Sequence, residues 1–280
     1  MEIFEGRRII IATKHKKDSV IAPLLEEHLG VQCFVPTDFD TDKLGTFTGE
    51  IERKNDALTT VRQKCLLAME EYQCDLGIAS EGSFGPHPSI FMAHADDEFL
   101  IFIDKKNNLE IIVRELSLET NFNATTVNCF QNLVNLVKTI GFPEHAVILK
   151  IAEKEVNSVV KGIQSWELLE ESFHKLSAFN SHVVAETDMR AMYNPTRMKV
   201  IEKATEKLVA KIKSTCPQCS LPGFGVTKIK SGLLCEWCGS PTNSTKSHIY
   251  QCQKCNFEQE KMFPNDKKTE DPMYCDRCNP

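Results

Sequence analysis

Arg8–Val35 reads RIIIATKHKKDSVIAPLLEEHLGVQCFV, and this stretch decides the fold class. Arg8–Ala12 is a short β-branched run of the kind that parallel sheets bury on both faces. A helix is expected to follow, beginning near Val20 to Ala22 because Pro23 fits only a first turn, and running to His28 with Gly30 as its stop. Val31–Val35 then reads as a second strand. Strand, helix and strand in that order predict a βαβ unit, and hence an α/β domain.

The pattern continues outward. Beyond the polar, turn-rich residues 37–49, apolar side chains at Ala57, Leu58, Val61, Cys65, Ala68, Met69 and Tyr72 recur at three and four, which predicts an amphipathic helix over 55–72. Strands are expected at Leu76–Ala79, Phe99–Ile103, Glu110–Val113 and Ala146–Ile151, with SEGSFGPHP (residues 80–88) as a loop. Helices are expected over 125–139 and 165–176, and again from Pro195 to Ser214, where Asn194 is the cap and Pro195 the first helical residue. The organisation is therefore α/β, a mixed sheet with flanking helices over residues 1–186, a connecting helix region over 187–214 and a small tail over 215–280.

Of the 280 residues, 41% are hydrophobic and 26% charged, which excludes a disordered or fibrous chain. The formal net charge of −6 argues against binding nucleic acid through bulk charge. There is no run of 18 uncharged apolar residues, and MEIFEGRRII lacks the basic start and apolar core of a secretory signal. A cytoplasmic protein without a membrane partner is expected.

Eight of the twelve cysteines form four CxxC pairs: Cys216/Cys219, Cys235/Cys238, Cys252/Cys255 and Cys275/Cys278. Each pair sets two sulfurs on one tight knuckle, and two knuckles complete a tetrahedral thiolate site for zinc. The 15 residues between Cys219 and Cys235 and the 19 between Cys255 and Cys275 suit paired knuckles, so two structural zinc ions in a zinc-ribbon tail are expected. Sequential and cross-braced pairing both satisfy the pattern. Phe224, Trp237, Tyr250 and Phe257 offer stacking surfaces, and the tail's expected partner is a protein rather than a nucleic acid.

The loop Thr13–Lys17 (TKHKK) joins a strand to a helix and carries three lysines, an arrangement that favours phosphate. GTFTGEIER (residues 45–53) and DLGIASEGSFGP (residues 75–86) each set a carboxylate beside glycine at an element end. In order and spacing these three segments resemble the inosine/xanthosine triphosphatases over roughly residues 8–115. Thr46, Gly49 and Arg53 match one family motif, and Asp75, Gly77, Glu81 and Gly82 match a second, while Glu50, Glu52, Lys54 and Ser83 depart from them. The resemblance implies an inosine triphosphatase-like fold and hydrolysis of a nucleoside triphosphate with Mg2+ or Mn2+. Glu81 would then hold the metal. Thr13, Lys14, Lys17, Thr46, Gly49, Arg53, Gly82 and Ser83 would contact a nucleotide or another phosphorylated small molecule.

Over its whole length the chain resembles an uncharacterised bacterial family, a domain of unknown function marked by ETDMRAMYNPTRM (residues 186–198) and by CPQC, GLLCEWCGSPT and CDRCNP in the tail. That resemblance implies no reaction. The alternatives to an enzyme are a phosphate-ligand sensor without turnover and an adaptor whose zinc tail holds a partner.

Overall fold

The computed structural model describes residues 2–39, 56–151, 159–179 and 182–280. The chain divides into two compact units, Met1–Lys106 with Ile112–Leu208, and Asn107–Ile111 with Val209–Pro280.

The chain opens with β1 (Arg8–Ala12), α1 (Asp18–Leu29), β2 (Gln32–Phe34), α2 (Ala57–Glu71), β3 (Leu76–Pro86), β4 (His94–Asp104) and β5 (Leu109–Ser117), of which all but the first three residues of β5 belong to the first unit. The five strands form one sheet in the order β2-β1-β3-β4-β5. β1 runs parallel to both β2 and β3, and β4 runs antiparallel to β3. From β1 the chain moves outward to β2 and then crosses back to β3 on the other side. Right-handed crossovers in opposite directions place α1 and α2 on opposite faces. On the α2 face, Val61, Cys65, Ala68 and Met69 pack against Ile10, Ala12, Ala79, Ile101 and Ile103.

Two expectations are corrected in this sheet. α1 begins at Asp18 rather than at Val20 to Ala22, so Pro23 lies inside it. The helix loses one backbone bond there and is held across the defect by the buried stripe Ile21, Leu25 and Leu29. Gly30, at φ 69°, closes it with an N–H bond to Glu26 O. Residues 80–86 are strand, not loop, because β3 pairs with β4 without a break from Leu76↔Asp104 to Pro86↔His94.

The same unit continues with β6 (Ala124–Val127), α3 (Phe130–Ile140), β7 (Val147–Ile151), β8 (Val159–Ile163), α4 (Trp166–Ser177) and β9 (Val183–Thr187). These strands form a second sheet, order β6-β9-β7-β8, with every neighbour antiparallel. β6-α3-β7 and β8-α4-β9 are thus two interlocked split βαβ units. Their core joins Leu133 and Val137 of α3, Leu169 and Phe173 of α4, and Leu149 and Ala185 of the sheet. The helix expected over 125–139 starts later, because Thr125, Thr126 and Val127 pair with Ala185, Val184 and Val183.

α5 (Pro195–Lys213) follows. Asn194 Oδ1 accepts from Arg197 N at 3.0 Å, the cap bond expected of an Asn-Pro entry. Val200, Ile201, Ala204 and Leu208 on one side of α5 are fully buried, and the boundary between the units falls within this helix. Among the described residues, no helix is long and apolar enough to cross a membrane.

The second unit is mostly short strands: β10 (Gly225–Ser231), β11 (Leu234–Cys235), β12 (Thr245–Gln251), β13 (Glu258–Met262) and β14 (Thr269–Glu270). β10, β12 and β13 form an antiparallel sheet, and β11 pairs in parallel with β14. Its apolar cluster is small, with Cys216, Phe224 and Cys252 at the centre and Tyr250 and Phe257 beside them.

Candidate functional site

The C-terminal end of β1 lies beside Ala79 of β3, and strand C-terminal ends are the side on which open α/β sheets form ligand sites. Pairing between them stops at Ala12↔Ala79, so from Ser80 onward the β1 side of β3 is open to incoming side chains. Lys17 enters after the Thr13–Lys17 loop, with its Nζ donating to Ser80 Oγ at 2.9 Å and lying 3.8 Å from Glu98 Oε2. Lys64 enters from α2, donating to Ser80 O at 3.1 Å and to the Glu81 carboxylate.

Strand alternation assigns these groups to two faces. Gly77 faces α2, since a Cβ there would stand 2.6 Å from Met69, and Ala79 and Glu81 share its face. Ser80, Gly82 and Phe84 point the other way, together with their cross-strand neighbours Leu100, Glu98 and Asp96. On this second face Arg197 Nε donates to Glu98 Oε1 at 2.6 Å, its NH1 group donates to Met189 O at 2.6 Å, and its guanidinium lies 5.0 Å from the centre of the Phe84 ring. Glycine at 82 makes this possible, because a Cβ there would meet Glu98 Oε1 at 2.2 Å and an Arg197 nitrogen at 2.6 Å.

All six ionisable groups, Lys17, Lys64, Glu81, Asp96, Glu98 and Arg197, are buried. Burial pulls the Lys17 amine down to about 7, against the favourable field of Glu98. Burial, reinforced by Glu98, pushes the Asp96 carboxyl up to about 8. Folded Asp96 therefore keeps a proton that the unfolded chain releases above its ordinary value, and stability falls as pH rises toward 8. Lys17 acts in the opposite sense above pH 7, where the unfolded chain binds the extra proton and stability rises with pH. Asp96→Asn should flatten the fall between pH 4 and pH 8 and make the variant more stable than the parent at pH 8, as read by urea midpoints across that range. A parent and a variant with the same pH slope would contradict this assignment.

The expected phosphate-site residues are placed unevenly. Thr13 and Lys17 are buried and Lys14 is exposed at the end of β1. Thr13 Oγ1 has no hydrogen-bond partner among the described residues. Thr46, Gly49 and Arg53 lie outside the described residues. Gly82 and Ser83 continue β3, opposite Glu98 and Asp97. Glu81 is close to Lys17 along the chain of contacts, yet it points to the α2 face and is held by Lys64. The acids that share a face with Lys17's partner Ser80 are Glu98 and Asp96, which the sequence reading missed along with Lys64. Two signals for them stand in the sequence: adjacent acids opening the apolar strand HADDEFLIFID, and a lysine on the apolar stripe Val61, Cys65, Ala68. In the ETDMRAMYNPTRM segment, Asp188 is fully buried, accepting from Gly162 N at 3.1 Å and from Arg190.

In the second unit the eight CxxC cysteines form two groups, Cys216, Cys219, Cys252 and Cys255, and Cys235, Cys238, Cys275 and Cys278. Within each group all four sulfurs lie within 4.8 Å of one another, and each group can hold a metal ion. The pairing is cross-braced, first knuckle with third and second with fourth. Sγ separations are 3.6 Å for Cys216 and Cys255, 3.6 Å for Cys219 and Cys252, 3.9 Å for Cys235 and Cys278, and 3.6 Å for Cys238 and Cys275. A zinc tetrahedron with bonds of ~2.3 Å sets its sulfurs about 3.8 Å apart, whereas a disulfide needs about 2 Å. The Ser240 hydroxyl and amide bring the Cys238 thiol down to about 6, while neighbouring Cys238 pushes Cys278 up to about 12. Sulfurs packed this closely cannot all ionise unless a cation joins them.

Of the four aromatics offered for stacking, Phe224, Tyr250 and Phe257 pack with one another, ring centroids 5.7 and 5.9 Å from Phe224. Trp237, inside the second knuckle, is 78% exposed.

Residues 64–280 match the model of a family described as a domain of unknown function (DUF6671). No curated protein matches the chain. The crystal structure of protein VC0702 from Vibrio cholerae aligns over 73% of this chain and 94% of its own, at 9% identity and a TM-score of 0.33, a likeness too low to carry an argument.

Proposed function

The chain belongs to the family of unknown function DUF6671, and from that premise we propose a two-zinc protein whose α/β unit binds a phosphorylated small molecule at the C-terminal end of β1, beside Ser80 of β3. The observation that carries this reading is Lys17, a buried amine on Ser80 at the switch point, following a loop with two further lysines. Binding is favoured over turnover. In the triphosphatase-like mechanism Glu81 would hold Mg2+ or Mn2+ beside the phosphates, but its carboxylate is already paired with Lys64, whose amine also bonds Ser80 O. The zinc ions are structural in this account, since each is to be bound by four thiolates with no open position for substrate. The exposed Trp237 supports a protein contact as a second role for the tail.

A thermal-shift screen of nucleoside triphosphates, inorganic triphosphate and sugar phosphates, run with and without Mg2+ or Mn2+ beside a phosphate-release assay, tests the reading. Ligands at a hundred times their Kd should add about 2.7 kcal/mol of stability, without turnover, and Lys17→Met should abolish the shift. No shift with any phosphorylated compound removes the reading, and turnover lost in Glu81→Gln would restore the hydrolase.

A further inference from the structure

A cavity of about 360 Å³ opens in the first unit between the start of α1 and the start of α5. Val20 of α1 and Met192, Pro195 and Met198 around the start of α5 give it apolar walls. Lys16 and Lys199 stand at its margin, with Glu202 as the one acid lining it. Two lysines against one acid give the lining a net positive charge beside its apolar walls.

The backbone adds a second observation. Lys16 sits at φ 55°, the left-handed region that a lysine enters at a cost of about 1 kcal/mol. The surface loop is fixed in that form by Ser19, whose Oγ and N both donate to Lys16 O, at 2.8 and 3.2 Å. Lys16 is exposed, so no packing of its own side chain offsets the strain. What the conformation achieves is to set the lysine at the cavity.

We propose that this cavity is a binding site for a small organic anion, an apolar body seated among Met192, Met198, Val20 and Pro195 with its charged head met by Lys16 and Lys199. The volume lies within the range of small-molecule sites, and mostly apolar walls with a few placed charges are their usual chemistry. Two methionines let the walls adapt to a flat or branched body. The site does not depend on the phosphate reading, because neither Lys17 nor Ser80 lines it.

Phenyl phosphate is the probe, with inorganic phosphate and phenol as its two halves. The full chain, labelled with methyl-13C methionine, carries eight methionines, and Met192→Leu and Met198→Leu identify the two cavity signals. Phenyl phosphate should move those two signals saturably while leaving the other methionines in place, at least tenfold more tightly than either half. Lys16→Glu with Lys199→Glu, both at exposed positions, should weaken that binding tenfold or more. Signals unmoved by phenyl phosphate, moved equally by phenol, or insensitive to the double charge reversal would overturn the proposal.

Discussion

Removing zinc from the full chain with a strong chelator should unfold residues 209–280 while the strands and helices of the first unit persist. The tail has little else to hold it. Its apolar cluster centres on three buried residues, two of which are the ligands Cys216 and Cys252. Several strand side chains on β10 and β13 are exposed, so hydrophobic burial supplies little of the folding free energy. Binding of a structural zinc ion supplies about 10–16 kcal/mol, and in a site that does not exist in the unfolded chain this is folding free energy. Cross-bracing makes the loss cooperative, because each site ties a knuckle before β12 to one after it. Cys235→Ser should therefore release one ion and expose the second unit to protease, with fragments ending in the tail. A tail whose amide spectrum is unchanged after chelation would contradict this.

The second large effect is expected at Arg197. This side chain and its partner Glu98 are both fully inaccessible, and removing one member of a buried pair leaves an uncompensated charge at about 3–5 kcal/mol. Arg197→Met removes the bonds to Glu98 and Met189 O as well as the contact with Phe84. Lys17, 3.8 Å from Glu98, offsets part of the loss but is itself pulled toward neutrality by burial. For a unit of this size the melting temperature should fall by roughly 10 °C. Glu98→Gln should also destabilise, and the double variant should lose clearly less than the sum of the two, the signature of a direct pair. Additive losses in calorimetry would show that the two residues act separately.

These effects divide the molecule into what its sequence states and what it leaves to folding. The parallel opening of the sheet follows from Arg8–Val35, because β-branched runs and a helix stop at Gly30 are local signals. The Asn194-Pro195 entry is also local, and the cap bond to Arg197 N matches it. By contrast SEGSFGP carries glycine, serine and proline, the vocabulary of turns, but its register with β4 makes it strand. Tertiary pairing outweighs propensity there. β8 and β9 escape notice for the same reason, each being five residues long and defined by neighbours on β7.

The ionic cluster illustrates the limit most clearly. Nothing local joins Lys17 to Ser80, 63 residues away, or Arg197 to Glu98, 99 residues away. The alternation that puts Glu81 on one face and Glu98 on the other becomes meaningful only once β3 and β4 are paired. The cysteines behave in between. Their chemistry is plain from four CxxC pairs, while their partnership depends on β12 and β14 bringing distant knuckles together.

That partnership is the most direct test of the account. A full-chain variant with Cys216, Cys219, Cys252 and Cys255 all changed to serine should retain one zinc ion per chain, bound by Cys235, Cys238, Cys275 and Cys278, whereas serine at Cys216, Cys219, Cys235 and Cys238 should leave none bound by four thiolates. Elemental analysis with the opposite outcome, none in the first variant and one in the second, would show that neighbouring knuckles pair in sequence and that the cross-braced tail described here is wrong.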